Sequence, residues 1–218
     1  YDGWRQPGGE SVPTHFETTW IGHHAQMGSL PTGHAGVPGM NLNGFRLLAE
    51  NETRGADTVI VFTAPEWNHS HATATNGGDR IAQRGGALVW MNAVPATKFH
   101  VFLSKSAEVT TGGGGTVFLR LAETWVALHP LGHGTFAPDA ELTRKACGPK
   151  KDGEAARFPD DAVWTLSGAG GFALEVGEPE THGDFGAFRT KAAAVSRVER
   201  PSERETHFTA ADGTRVGL

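Results

Sequence analysis

The fold class can be read from residues 116–128, which have the sequence TVFLRLAETWVAL. Thr116–Leu121 and Thr124–Leu128 are rich in apolar and β-branched residues, with the period-two alternation expected of β-strands. Only Ala122 and Glu123 separate the two runs. Because a two-residue connection suits an antiparallel hairpin, the segment predicts two paired strands joined by a tight turn.

Runs of the same kind lie on both sides of this hairpin. Thirty glycines and 12 prolines in 218 residues interrupt the chain at short intervals, which favours short strands over long helices. The other predicted strands are His15–Ile21, Phe45–Ala49, Thr58–Thr63, two halves of Ile81–Asn92 around a bulge at Gly85–Gly86, Lys98–Leu103, Val163–Leu166 paired with Phe172–Val176, and a final hairpin of Thr206–Thr209 with Thr214–Val216. Together they predict an all-β protein, an antiparallel β-sandwich.

One short helix is predicted near residues 184–195. Asp184 is a suitable N-cap, and apolar residues from Phe185 to Val195 recur on one face at helical spacing. Since the sequence shows no internal repeat and no long linker, residues 1–218 are predicted to form a single domain.

Three segments of this predicted domain lack a strand pattern. Residues 1–14 are predicted to be an extended lead-in, residues 28–44 a long loop, and residues 134–160 an exposed polar excursion. The chain begins at Tyr1 rather than at Met, so we interpret it as a segment of a longer protein.

Composition excludes several classes of protein. The net charge of −5, from 19 Lys and Arg against 24 Asp and Glu, argues against a nucleic-acid binder with a basic face. The single cysteine, Cys147, excludes an internal disulfide framework and a cysteine-rich zinc site. No apolar run approaches the roughly 18–20 residues that a membrane span requires, so no membrane span is predicted.

The 11 histidines are numerous for a chain of this length. His69 and His71 would point the same way in an extended segment, whereas only one of His23 and His24 could face a given site in a strand. None of these spacings is a recognised ligand motif such as HExxH. The sequence therefore requires no cofactor and leaves a structural Zn or Ca ion as an open possibility.

Trp67 begins a polar segment with the sequence WNHSH, which includes His69 and His71. Its ring could stack on the apolar face of a sugar while the neighbouring side chains bind the hydroxyl groups. A capped loop with a packed tryptophan explains the same pattern equally well.

Two arginines precede the apolar run at residues 87–91. If residues 80–84 are extended, Arg80 and Arg84 share a face and could together hold a carboxylate or sulfate, while Gln83 lies on the other face. An ordinary ion pair of Arg80 with Asp79 or Glu66 is the alternative.

Several strings occur in an order that resembles one protein family over about three quarters of the chain. They are Thr19–Ile21 leading to Met27–Leu30, Asp79–Gly85 (DRIAQRG), Glu123–Leu131 (ETWVALHPL), and Gly171–Gly177 (GFALEVG) before a helix with Phe185 and Phe188. Their order is similar to that in the C-terminal β-sandwich half of heparinase II/III-like polysaccharide lyases.

The resemblance implies a β-sandwich of the super-sandwich type, packed against an α/α toroid domain of the same parent protein. An acidic polysaccharide would lie between them and be cleaved by β-elimination next to a uronic acid. It also implies secreted or periplasmic localisation and, in some members, a structural metal. This chain lacks the helical half, and its only tyrosine is Tyr1, so any catalytic set within it is incomplete.

The resemblance and the residue patterns together give the candidate site. The candidate catalytic residues are His23 and His24. The candidate substrate-binding residues are Trp67, His69, His71, Arg80, Gln83 and Arg84. Two other functions stay open: a non-catalytic glycan-binding or structural module that uses Trp67, and a metal-dependent enzyme built on the histidines.

Overall fold

The computed structural model describes residues 18–30, 44–51, 55–63, 80–91, 98–156, 158–202 and 204–218. The strands are β1 (Thr18–Ile21), β2 (Ala25–Leu30), β3 (Gly44–Asn51), β4 (Gly55–Thr63), β5 (Arg80–Arg84), β6 (Ala87–Met91), β7 (Phe99–Ser104), β8 (Glu108–Thr111), β9 (Val117–Leu121), β10 (Thr124–Pro130), β11 (Thr135–Pro138), β12 (Asp161–Ser167), β13 (Gly171–Gly177), β14 (Arg197–Glu199), β15 (His207–Thr209) and β16 (Arg215–Gly217). The helices are α1 (Ala140–Cys147), α2 (Pro179–His182) and α3 (Phe185–Val195), with a 3₁₀ turn at Gly113–Gly115.

The strands form two large antiparallel sheets and one small one. The first sheet has the order β1-β2-β3-β4-β7-β12-β11, the second β5-β6-β13-β10-β9-β8, and the third β14-β15-β16. The prediction of an all-β antiparallel sandwich is confirmed. No helix among the described residues is long and apolar enough to cross a membrane.

The main hydrophobic core lies between the two large sheets and takes side chains from both. At its centre Phe99 of the first sheet packs edge-on against Trp90 and Phe172 of the second, with ring centroids 5.1 and 5.0 Å apart. All three side chains are fully buried. Edge-to-face aromatic contacts of this kind add to the free energy gained by burying apolar area, so they hold the two sheets together.

The hairpin at residues 116–128 is confirmed. Leu121 pairs with Thr124 across Ala122 and Glu123, and Ala122 adopts a φ of 51°, the left-handed conformation that such a tight turn requires. The predicted hairpin near the C-terminus is confirmed as β15 and β16.

Two details of the predicted strand pairing are wrong. Gly85 and Gly86 form a turn rather than a bulge, because Gly85 takes a φ of 57° and the chain reverses, so that Arg84 pairs with Ala87. Strands β12 and β13 do not pair with each other. Between them the chain crosses from the first sheet to the second, with positive φ values at Gly168 and Gly170. In the first sheet β12 pairs with β7 and β11, and in the second sheet β13 pairs with β6 and β10.

The predicted helix is confirmed as α3. The Asp184 carboxylate accepts a hydrogen bond of 2.8 Å from the Ala187 N–H and so caps the first turn. Phe185 and Phe188 are buried against Trp125 of β10. Val195, which was predicted to lie on the same face, is 38% exposed.

The polar segment at residues 134–160 is more ordered than its sequence suggests. It contains β11 and α1, whereas the sequence predicted only an exposed excursion. Ala146 and Cys147 at the end of α1 are buried against Phe102 of β7 and Val163 of β12. This packing stabilises the short helix against the first sheet. The loop predicted at residues 28–44 is wrong at both ends, because Gly28–Leu30 continue β2 and Gly44 begins β3. Residues 1–14 and 31–43 lie outside the described residues, and the single-domain assignment stays a prediction.

Replacing Asp184 by alanine is expected to lower the free energy of unfolding by about 1 kcal/mol, because the Ala187 N–H loses its capping partner. The Asp184→Asn variant keeps an acceptor oxygen and should lie within a few tenths of a kcal/mol of the wild type. Urea denaturation measures both values. Equal stability of the alanine and wild-type proteins would show that this cap contributes nothing.

Candidate functional site

The turn between β1 and β2 is attached to the other sheet by one buried carboxylate. Glu178 directly follows β13 and is only 3% exposed. Its Oε2 accepts a hydrogen bond of 3.0 Å from the His23 N–H, and its Oε1 accepts one of 2.8 Å from the His24 N–H. A methyl group at Gly22 would lie 2.4 Å from this carboxylate, so the close approach needs a residue without a side chain.

Both histidine rings of this turn lie beside a second carboxylate, that of Glu180 in α2. The His24 Nε2 is 3.1 Å from Glu180 Oε1. The His23 Nδ1 is 3.9 Å from Glu180 Oε2 and 3.6 Å from Glu178 Oε2. A hydrogen bond from its own backbone, and then the neighbouring His24 ring, hold the pKa of the Glu180 carboxyl below its usual range. Glu180 is therefore ionised at neutral pH.

The β5–β6 turn adjoins the β1–β2 hairpin. The half-buried Trp20 ring lies close to both turns: a methyl group at Gly22 would be 2.6 Å from it, and one at Gly86 would be 3.4 Å away. The Gln83 amide donates hydrogen bonds of 3.3 Å to the Met27 and Gly85 carbonyls. His23, His24, Gln83 and the exposed Arg84 therefore belong to the same end of the sandwich.

Arg80 begins β5, four residues before Arg84. Its Nη1 donates a hydrogen bond of 2.7 Å to the Arg204 carbonyl, and its Nη2 lies 3.3 Å from the Met91 sulfur. These contacts orient the guanidinium towards the connection between β14 and β15. Trp67, His69 and His71 lie outside the described residues, as do Asp79 and Glu66, the alternative ion-pair partners of Arg80.

A second polar cluster is buried between the second and third sheets. His129 Nε2 lies 3.0 Å from Glu175 Oε1, and its Nδ1 lies 3.2 Å from the Thr116 hydroxyl. Glu175 also accepts hydrogen bonds from the Ser196 hydroxyl and the Ala211 N–H. A neutral imidazole has one N–H and one acceptor nitrogen, so His129 can donate to Glu175 through Nε2 while its Nδ1 accepts from the Thr116 hydroxyl. This cluster joins β10 and β13 to the connections beside the third sheet.

Sequence reasoning missed Glu178, Glu180 and the cluster around Glu175. His23 and Glu178 are 155 residues apart, so no local spacing connects them. The sequence held one signal for Glu178, its position just after the predicted strand that ends at Val176. A charged residue that follows a buried strand lies at the end of a sheet, where the turn of a neighbouring hairpin can contact it. Among the described residues, His23, Glu178 and Glu180 form the one group of His, Cys, Asp and Glu whose donor atoms lie close enough to hold a metal ion.

Comparisons with protein families, curated proteins and solved structures find no match to this chain. The resemblance to heparinase-like lyases therefore stays a prediction.

Proposed function

We propose that this chain is the β-sandwich part of a heparinase-like polysaccharide lyase or lyase-like protein. The sandwich forms one wall of a cleft for a uronic acid-containing glycan, and an α/α toroid of the same parent protein forms the other. The observation that supports this most directly is the His24 ring beside the ionised Glu180, at an end of the sandwich that also presents Arg84.

In this proposal, His24 accepts the C5 proton of the uronate residue. Glu180, 3.1 Å from Nε2, stabilises the imidazolium that forms when the ring takes up a proton. The Glu178 carboxylate fixes the backbone of the turn, and the Thr124 hydroxyl donates a hydrogen bond of 3.0 Å to the His24 carbonyl. The His24 backbone is therefore fixed by two hydrogen bonds, which gives the ring the defined position that proton transfer requires.

Arg84 is the candidate partner of the uronate carboxylate. Its guanidinium presents donors in a fork that fits a carboxylate, and neutralising that charge makes the C5 proton easier to remove. Gln83 holds the turn through its own hydrogen bonds and so positions Arg84. By the resemblance, the group that protonates the departing O4 belongs to the toroid. The proposal places the protein outside the cytoplasm, where such glycans occur.

Absorbance near 232 nm tests this function, because β-elimination creates an unsaturated uronate that absorbs there. The complete gene product and this chain alone are incubated separately with heparin, heparan sulfate, chondroitin, hyaluronan and alginate. We expect the absorbance to rise with the complete product on at least one glycan and to stay flat with the chain alone. A complete product that is inactive on the whole panel would contradict the proposal, and activity of the chain alone would contradict the shared catalytic set.

A non-catalytic glycan-binding module is the second candidate, and the position of Trp20 favours it. This half-buried ring lies close to Gly22 of the β1–β2 turn and to Gly86 of the β5–β6 turn. An aromatic ring with neighbouring polar groups suits stacking on a sugar. Retention of the complete product by an acidic glycan, without any change in absorbance, would favour this candidate over the lyase.

A further inference from the structure

The third sheet has one buried face and one outer face. Val198, Phe208 and Val216 oppose one another across its three strands and pack into the hydrophobic cluster that joins this sheet to the second one. Since successive side chains of a strand point to opposite faces, the alternate residues point outwards. The outward-facing residues are Arg197, Glu199, His207, Thr209, Arg215 and Gly217.

The outer face contains a cavity of about 140 Å³, which we call the third-sheet cavity. Its lining includes the side chains of Glu199, His207, Thr209 and Arg215. Three of these four residues are exposed and Thr209 is half-buried, so the cavity opens to solvent. A cavity of about 150 Å³ holds one benzene molecule, and the third-sheet cavity therefore suits an ion or molecule of about that size.

Three of the lining side chains offer hydrogen-bond donors. Arg215 lies directly opposite Thr209 across the β15–β16 pair, and His207 lies two residues before Thr209 on the same face. Opposed residues have Cβ atoms about 5 Å apart, and residues two apart along a strand are separated by about 7 Å. Within the described residues, none of these three side chains forms a hydrogen bond or an ion pair. All three are therefore available to donate to one small anion.

Glu199 adds an acceptor to this set of donors. It lies directly opposite His207, and its Oε1 accepts a hydrogen bond of 2.9 Å from the Arg197 Nε. An ionised carboxylate can only accept, so it repels an anion without a proton and favours one that carries an O–H group. Hydrogen phosphate carries such a group at neutral pH, whereas sulfate does not.

We propose that the third-sheet cavity binds inorganic phosphate. Arg215, Thr209 and His207 donate to the phosphate oxygens, and Glu199 accepts from the O–H that the ion retains. Phosphate is slightly smaller than benzene and so fits the cavity. Two arginines against one glutamate give this face a positive charge, although the chain as a whole carries −5. The inference is independent of the proposed lyase function, because it uses none of the same residues and is measured without any glycan.

Titration calorimetry of the chain with sodium phosphate, in a buffer that contains no other phosphate or sulfate, tests the site. We expect one phosphate per wild-type chain and at least about tenfold weaker binding by Arg215→Ala, which loses a charge-assisted hydrogen bond. The matched control is Arg120→Ala, which removes an exposed arginine of the second sheet. Its affinity should stay within about twofold of the wild type.

A parallel titration with sodium sulfate tests the role of Glu199. The wild type should bind phosphate at least about tenfold more tightly than sulfate, because sulfate has no proton to offer the carboxylate. In Glu199→Gln the amide can donate to sulfate, so the preference for phosphate should largely disappear. Arg215 and Glu199 are both exposed, so both variants should fold, and circular dichroism verifies this.

Three results would overturn the assignment. The first is a wild-type chain that shows no saturable binding of one phosphate. The second is an Arg215→Ala chain that binds phosphate as tightly as the Arg120→Ala control. The third is a wild-type chain that binds sulfate as tightly as phosphate. If Arg215→Ala fails to fold, the comparison of phosphate with sulfate on the wild type and on Glu199→Gln decides.

Discussion

Replacing Glu175 by alanine is expected to lower the free energy of unfolding by about 2–6 kcal/mol, because two buried donors lose their acceptor at a cost of roughly 1–3 kcal/mol each. The carboxylate is 3% exposed and accepts hydrogen bonds from His129, Ser196 and the Ala211 N–H. Alanine removes the acceptor of all three donors. The His129 ring and the Ala211 N–H are buried, so each of these two adds the cost of an unsatisfied group, whereas the half-buried Ser196 hydroxyl can bond to water. Urea denaturation followed by circular dichroism measures the change.

The control for this prediction is Glu108→Ala. Glu108 is about half exposed, and its carboxylate lies 4.0 Å from the Arg120 guanidinium in a solvent-exposed ion pair, so its removal should change stability by less than about 0.5 kcal/mol. Glu175→Gln should fall between the two, because the amide keeps one acceptor but brings a donor into the cluster. A Glu175→Ala protein within 1 kcal/mol of the wild type would show that the cluster adapts to the loss.

Under the proposed lyase function, replacing His24 by alanine is expected to lower kcat/KM of the complete gene product by about 10²–10⁴-fold on its best glycan, the usual contribution of a general base. Alanine keeps the backbone N–H that donates to the Glu178 carboxylate and the carbonyl that accepts from the Thr124 hydroxyl. The turn should therefore keep its conformation. The effect should lie mainly in kcat, since the ring acts on the proton and not on binding. Initial rates at 232 nm measure it.

The matched control is His133→Ala, which removes an exposed histidine between β10 and β11. It should retain the wild-type rate. A His24→Ala enzyme within threefold of the wild type would contradict the assignment of the base, whatever the rate of the control.

Local patterns in the sequence were sufficient for most strands and for α3. Period-two alternation and a two-residue gap defined the β9–β10 hairpin, and the Asp184 cap marked the start of α3, because these features depend on neighbours within a few residues. The same patterns could not assign β12 and β13 to different sheets. Leu166 and Phe172 belong to one core and look alike in sequence, although they approach it from opposite sides.

The candidate site depends on contacts that no local pattern contains. His23 and His24 could be chosen as candidates from the sequence, but Glu178 and Glu180 could not, because the sheet topology alone brings them to the β1–β2 turn. The same holds for Glu175, whose partners come from three separate parts of the chain. The alternation of apolar and polar residues predicts that Glu175 lies in a strand, but it does not predict these partners.

The separation of 155 positions between His23 and Glu178 also sets an order of events during synthesis. At ribosomal rates of about 5–20 residues per second, the β1–β2 turn exists for about 8–31 s before its carboxylate partner is made. Until then the N–H groups of the turn can bond only to water or to other segments. Every nascent chain that ends before Glu178 is therefore expected to lack the assembled site, however much of the sandwich has already folded.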